Sequence, residues 1–189
     1  MKLVDTSEIF SALSMIPFVH LSFIASSPFL KYAISMLWMS SMGYHMCLAF
    51  GNYTLAKPFY ILDCMHQSIS IYALLTASNC YIFTTPPWIH GSLKVVTAAI
   101  IVSIGYFGSL YGIKSKLCLY FTCLAHGLHA VYGSFFCCNS TKYIISMQYF
   151  IASAFVFLAI EVGLSNYLWT IGHIMLYYYT RFFWEALNT

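Results

Sequence analysis

The chain alternates between long apolar stretches and short polar breaks, and the length of the apolar stretches points to the fold. An α-helix needs about 20 apolar residues to cross the hydrocarbon of a bilayer. At that length the sequence predicts seven membrane-spanning helices, near residues 9–26, 30–50, 58–80, 88–111, 117–136, 143–163 and 166–184. The breaks are rich in Pro, Gly, Asn and Lys, which end helices or stay in water. The predicted fold is therefore all-α, a polytopic seven-helix transmembrane bundle that forms one domain over residues 1–189.

The composition excludes an ordinary soluble domain. Of the 189 residues, 61% are hydrophobic and only 7% are charged, whereas a soluble domain has roughly a quarter charged residues. The formal net charge of +3 is carried by isolated basic residues, so we predict no nucleic-acid surface. Lys and Arg divide equally between the two ends of the predicted bundle, so they do not orient it. We call the end that carries the amino terminus side A and the opposite end side B.

The cysteines show no zinc-finger spacing, and most lie within apolar stretches. A cysteine in such a stretch is usually a small buried hydrophobe. Cys137 and Cys138 lie at the edge of a predicted side B loop, where palmitoylation is an alternative.

Chemically reactive side chains gather near side A of the predicted spans. Ser41 and His45 share one helix face because they are four residues apart. At 1.5 Å per residue, His45 lies about 9 Å from side A, Asp63 about 8 Å and His173 about 10 Å. Glu161 lies within about 4 Å of the side A end of its span. We expect these side chains to lie close together.

A carboxylate is costly in hydrocarbon, so it must be protonated, paired or bound to a cation. Histidine nitrogens and a carboxylate oxygen are common ligands of catalytic zinc, which keeps one position for water. We therefore predict one zinc ion held by His45, Asp63 and His173. Ser41 would assist at the water or the oxyanion, and Glu161 is a candidate proton shuttle. The competing interpretation is a set of hydrogen bonds that only holds the helices together.

Five further histidines lie inside predicted spans; His20 and His90 are expected to be structural or interfacial, and the other three have alternatives. His126 and His129 share one helix face at a spacing that could bind a metal, but they lie deeper than the cluster. The alternatives for this pair are polar packing and the lining of a substrate cavity. His66 is one turn from Asp63 and is expected to line the same cavity.

The motif Ser41-Met-Gly-Tyr-His45, followed by Asp63 and by Trp169-Thr-Ile-Gly-His173, resembles the CREST superfamily of seven-helix membrane proteins. The family pattern is Ser-x-x-x-His, an Asp, and His-x-x-x-His. The family includes alkaline ceramidases, adiponectin-type receptors and lipases that remodel GPI anchors. The chain looks nearest to the branch that contains myomaker and its transmembrane-protein-8 relatives, which have an acid similar to Glu161. Trp169 stands where the family has His, so one expected zinc ligand is absent.

Two functions from different classes stay open. The resemblance implies a zinc-dependent hydrolase, ceramidase- or phospholipase-like, that cleaves an ester or amide of a membrane lipid entering from the bilayer. The alternative is a non-catalytic, myomaker-like protein that promotes cell–cell fusion, with the polar cluster as a structural staple. Trp169 favours this alternative. A homo-oligomer or a membrane-protein partner is compatible with both functions. The resemblance also implies a plasma-membrane or endomembrane (ER/Golgi) location, with the amino terminus outside or in the lumen.

Overall fold

The computed structural model describes residues 4–25, 27–78, 81–82, 85–161 and 163–188, without the side chains of Lys114 and Glu161. Regular structure in these residues is helical, which confirms the all-α prediction. The main α-helices are α1 (Thr6–Leu13), α2 (Ile16–Ile24), α3 (Pro28–Ala49), α4 (Tyr53–Thr76), α5 (Pro87–Tyr111), α6 (Lys116–Phe136), α7 (Ser140–Glu161) and α8 (Leu168–Asn188). A short 3₁₀ turn, Gly112–Lys114, follows α5.

The first predicted span begins earlier than expected and contains a break. Asp5 caps α1, because its Oδ1 accepts hydrogen bonds from the backbone N–H and the hydroxyl of Ser7 at 3.0 and 2.6 Å. An N-cap of this kind satisfies a donor that the first helical turn leaves free. Ser14 and Met15 form a turn between α1 and α2. Glu8, predicted to precede the span, is thus inside a helix and only 6% exposed.

The third predicted span also begins earlier, at Tyr53 rather than Pro58. Asn52 caps α4 by accepting a hydrogen bond from the backbone N–H of Leu55 at 3.2 Å. The cap starts the helix upstream of Pro58, which is tolerated inside it although proline removes one backbone donor. This shift of five residues moves every side chain of α4 deeper relative to the start of its helix.

Three glycine turns lie at side A. Gly51, Gly112 and Gly163, which follow α3, α5 and α7, have φ values of +68°, +62° and +83°. These left-handed conformations are readily adopted by glycine alone. Each turn lets the chain reverse direction between two long helices.

Side B joins the amino end of α7 to the carboxyl end of α8. The backbone N–H groups of Cys138 and Asn139 donate to the Ala186 carbonyl at 2.8 and 3.1 Å. Lys142 Nζ lies 3.0 Å from Glu185 Oε2. Cys138 is also disulfide-bonded, which corrects the expectation that it is a buried hydrophobe or a palmitoylation site.

Helix α4 lies between two apolar cores. The larger core packs α2, α3, α4 and α8 together through residues that include Phe18, Leu37, Ile71 and Phe183. The smaller core joins α4 to α5 and α6. Much of the larger core lies nearer side B, which leaves the side A half of the bundle to the buried polar residues.

Within the described residues, three helical stretches are long and apolar enough to cross a membrane: Thr6–Ile24, Pro87–Tyr111 and Ser140–Ile160. Large apolar side chains also point outward, among them Phe23 (75% exposed) and Val102 (70%). Exposed apolar surface on this scale suits contact with lipid. These features are those of a membrane protein.

Candidate functional site

His45 on α3 is paired with a residue to which the sequence analysis gave no role. Its side chain is buried, and Nδ1 lies 2.6 Å from Oε2 of the buried Glu8 on α1. When Glu8 is ionised it can only accept a hydrogen bond, and Nδ1 then carries the proton while Nε2 carries the lone pair. Nε2 is buried and has no hydrogen-bond partner among the residues that the structure describes.

His173 on α8 lies beside His45, with the ring centroids 5.0 Å apart. Its Nδ1 lies 2.9 Å from Ser14 Oγ and 3.3 Å from the Ser11 carbonyl oxygen. The Ser14 hydroxyl donates its own proton to that same carbonyl at 2.6 Å. Ser14 Oγ therefore accepts from His173, which places the proton on Nδ1 and the lone pair on Nε2.

Both histidines are thus oriented by one polar stripe at the amino-terminal end of the chain. Glu8, Ser11 and Ser14 follow one another at three-residue intervals and are all buried. Residues at such intervals lie on one helix face, and this face packs against α3 and α8. The stripe is not expected from the predicted spans, because Glu8 precedes the first of them. The three-residue spacing of Glu8, Ser11 and Ser14 was the available signal.

Asp63 lies beside Ser41. Gln67 Nε2 donates to Asp63 Oδ1 at 3.4 Å, and Ser41 is close to the Asp63 carboxyl. Ser41 Oγ is fully buried and has no partner at hydrogen-bond distance. Because α4 begins at Tyr53, Asp63 lies about 15 Å along its helix rather than about 8 Å. That depth matches Ser41, one helical turn deeper than His45.

The structure therefore brings together some of the predicted zinc ligands. His45 and His173 are in contact, whereas Asp63 pairs with the neighbouring turn of α3. Among the side chains that the structure describes, no group of three or more His, Cys, Asp or Glu is arranged to hold a metal ion. The Glu161 side chain lies outside the described part of the chain, so its predicted role stays a prediction.

Trp169 fills the place where a second histidine of α8 was expected. Its ring centroid lies 5.6 Å from that of His45 and 6.0 Å from that of His173. On its other side the indole packs against Phe157 of α7 at 5.3 Å. The indole thus adds apolar packing around the two imidazoles.

His66 lines a lateral groove between α3 and α4. The groove has a volume of about 480 Å³, and its walls include Met36, Met39, Met46 and Phe59. Met39 is 49% exposed, so the groove opens at the outer surface of the bundle. His66 Nδ1 lies 3.5 Å from Ser40 Oγ, which gives the apolar groove one weakly polar point.

His129 on α6 has its two ring nitrogens engaged by the protein. Nδ1 donates to the Ala125 carbonyl oxygen at 2.6 Å, and Nε2 lies 3.2 Å from Thr97 Oγ1. This arrangement is the polar packing that the sequence analysis kept as an alternative to metal binding.

No protein-family model matches the chain, and no curated protein or solved structure shows significant similarity to it. The resemblance to the CREST superfamily therefore rests on the motif residues alone.

Proposed function

We propose that this chain is a seven-span membrane protein that binds zinc through His45 and His173 and hydrolyses an ester or amide bond of a membrane lipid. Three stretches meet the requirements for a membrane span. The remaining long helices, α3, α4, α6 and α8, have 21 to 24 residues each, enough to cross about 30 Å of hydrocarbon at 1.5 Å per residue.

The observation that carries the proposal is the orientation of the two imidazoles. A histidine that binds metal through Nε2 almost always donates its Nδ1 proton to a carboxylate, a carbonyl or a similar acceptor. Glu8 is the acceptor for His45, and Ser14 and Ser11 are the acceptors for His173. Nε2 of His45, buried without a partner, is the nitrogen that such a site leaves for metal.

Zinc in such a site supplies a bound water of lowered pKa that can attack a carbonyl carbon. The protein side chains supply the rest. Glu8 holds the proton on Nδ1 of His45 and so keeps its Nε2 basic. Ser41, whose buried hydroxyl has no hydrogen-bond partner among the described residues, can donate to the carbonyl oxygen as that oxygen gains charge. Asp63, next to Ser41, can accept a proton.

The lateral groove between α3 and α4 supports a lipid substrate. Its methionine-rich wall can adapt to a flexible apolar chain. The groove runs along the helix that carries Ser41 and His45, and it opens where the bilayer would lie. An acyl chain in the groove would keep the bond to be cleaved near α3.

The second candidate is the non-catalytic membrane protein, with a role in cell–cell fusion or in organising partners. Trp169 favours it, because an indole takes the place of a ligand and buries both imidazoles in apolar contacts. In that case the Glu8–His45 and Ser14–His173 contacts join α1 to α3 and α8 as a structural staple. Expression in fusion-incompetent cells would then give multinucleate cells, and His45→Ala protein that still reaches the surface would keep this activity.

The decisive experiment is elemental analysis of the detergent-purified protein. We expect about one zinc per chain, lost in His45→Ala and His173→Ala and retained in the matched control His20→Ala, since His20 is exposed. Asp63→Ala tests whether the aspartate is a ligand. Absence of zinc from correctly folded wild-type protein would overturn the proposal.

Two further measurements separate the candidates. Zinc-loaded protein that hydrolyses ceramide or phospholipid in nanodiscs, with activity lost in Ser41→Ala, supports the hydrolase. Zinc without turnover of either lipid class supports the staple. Trp169→His would restore the family pattern, and the hydrolase proposal predicts that it binds zinc more tightly than wild type.

The disulfide at Cys138 bears on the direction of insertion. Disulfides form and persist in the lumen of the ER or outside the cell, so we infer that side B faces that compartment. This places the amino terminus in the cytosol, the reverse of the orientation that the resemblance implies. In intact cells, and in a background that lacks the free, accessible Cys47, Cys123 and Cys137, a membrane-impermeant maleimide should label Ser140→Cys at side B but not Asn52→Cys at side A. The opposite labelling pattern would contradict this orientation.

A further inference from the structure

His126 on α6 is a second buried histidine with unsatisfied nitrogens. Its side chain is 6% exposed, and neither Nδ1 nor Nε2 has a hydrogen-bond partner within the described part of the chain. The ring lies between aromatic side chains, with centroids 6.2 Å from Phe150 and 5.7 Å from Tyr179. A neutral imidazole has one donor and one acceptor, and leaving both unpaired in an apolar interior is costly.

The nitrogens lie at a cavity that can relieve this cost. The space open to the centre of a water molecule is about 30 Å³, and one water needs about 10–15 Å³ and two to four polar partners. Most of the cavity wall is apolar. The polar part of the lining comes from three helices: Gln67 of α4, Thr122 and His126 of α6, and Ser153 of α7. The cavity is large enough for water and too small for a lipid chain.

We propose that this cavity binds water, anchored by His126 and Gln67. The hydroxyls of Thr122 and Ser153 donate to backbone carbonyls at 2.9 and 2.7 Å. Their oxygens therefore remain available as acceptors. Gln67 supplies an amide oxygen and His126 supplies one donor and one acceptor. Together these groups give a small water cluster the number of partners that buried waters use.

The bound water lies one side chain from the candidate site. Gln67 Nε2 also donates to Asp63 at 3.4 Å. Phe157, a wall of the cavity, packs against Trp169 and His173 at 5.3 and 6.5 Å. The water would therefore serve as an internal supply for hydrolysis; this role rests on the proposed function, whereas the water site itself does not.

Deuterium exchange at the imidazole C2 position, read by mass spectrometry on the intact protein in nanodiscs, tests the site. The exchange requires solvent at the ring, and His129 on the same helix is the internal control because the protein occupies both of its nitrogens. We expect His126 to exchange several-fold faster than His129. Equal rates in the two rings would overturn the proposal.

A variant that fills the cavity provides the second test. Ser153→Leu should slow exchange at His126 to the rate of His129, whereas Ile151→Phe, which adds bulk at an exposed position of the same helix, should leave it unchanged. Fast exchange that persists in folded Ser153→Leu would contradict the site. If Ser153→Leu does not fold, an experimental structure that resolves waters decides: density within hydrogen-bond distance of His126 supports the site, and apolar packing there overturns it. Neither readout depends on zinc or turnover, so failure of the proposed function remains distinguishable.

Discussion

His45 and His173 form one buried pair of histidines in this bundle, and His126 and His129 form another. The first pair comes from two helices, α3 and α8, and a third helical segment holds both Nδ1 atoms through Glu8, Ser11 and Ser14. The second pair comes from one turn of α6. His129 has both nitrogens engaged by the protein, and His126 has neither engaged.

The difference shows what fixes the tautomer of a buried histidine. Three-residue spacing on one helix brings two rings to one face, but it does not supply the acceptors that fix their tautomers. His45 and His173 have those acceptors because α1 runs past both of them. The first pair thus has both Nδ1 atoms held by the amino-terminal helical segment, whereas the second divides into a packed ring and a ring that lines a cavity.

Among the substitutions considered for the two pairs, removal of the carboxylate that holds His45 should have the largest effect on zinc binding. We expect Glu8→Ala to lower zinc affinity about 10–100-fold, because loss of the partner that orients a metal-bound histidine typically costs this much. Glu8→Gln, which retains an acceptor oxygen but no charge, should give a smaller loss. A titration against a competing chelator measures both.

Asp5→Asn is the matched control for the Glu8 variants. Asp5 lies on the same end of α1, and asparagine keeps the oxygen that caps the helix. Its zinc affinity should equal that of wild type. Wild-type affinity in Glu8→Ala would show that the Glu8–His45 contact has no part in metal binding.

A substitution in the second pair should lower the stability of the protein and leave its zinc content unchanged. His129→Leu removes one hydrogen bond from Thr97 Oγ1 and one from the Ala125 carbonyl, and we expect it to reduce the free energy of unfolding by about 1 kcal/mol. Zinc content should not change. Thermal unfolding of the purified protein, with the exposed His20→Leu as control, measures the first effect. Loss of zinc in folded His129→Leu would mean that the two pairs are not independent.

The sequence predicted the fold class well because apolar length is a local property. The long helices α3 and α5 to α8 lie over the predicted apolar stretches to within a few residues at most of their ends. The predicted starts of α1 and α4 were wrong because capping residues start both helices upstream of the predicted positions. Asn52 starts α4 upstream of a proline that was expected to begin it, and Asp5 starts α1 within a stretch that was expected to be outside the span.

Those two errors also explain what the site prediction missed. The early start of α4 moved Asp63 about one helical turn deeper than His45, beside Ser41 instead. The early start of α1 brought Glu8 into the bundle, where it pairs with His45. The contact between His45 and His173 was predictable from depth, since both lie near side A. Their orienting partners depended on how α1 packs: the spacing of Glu8, Ser11 and Ser14 shows that they share a face, but not which helices that face meets.

The smallest expected effect lies at His173. Ser14→Ala removes one acceptor from Nδ1, but the Ser11 carbonyl oxygen at 3.3 Å remains to hold the proton. We therefore expect a loss of zinc affinity of about tenfold or less, below that of Glu8→Ala in the same chelator titration. Ser22→Ala is the control, because the Ser22 hydroxyl makes a similar bond to a backbone carbonyl. A loss in Ser14→Ala as large as that in Glu8→Ala would mean that the carbonyl cannot hold the ring alone, and that α1 orients both histidines through side chains only.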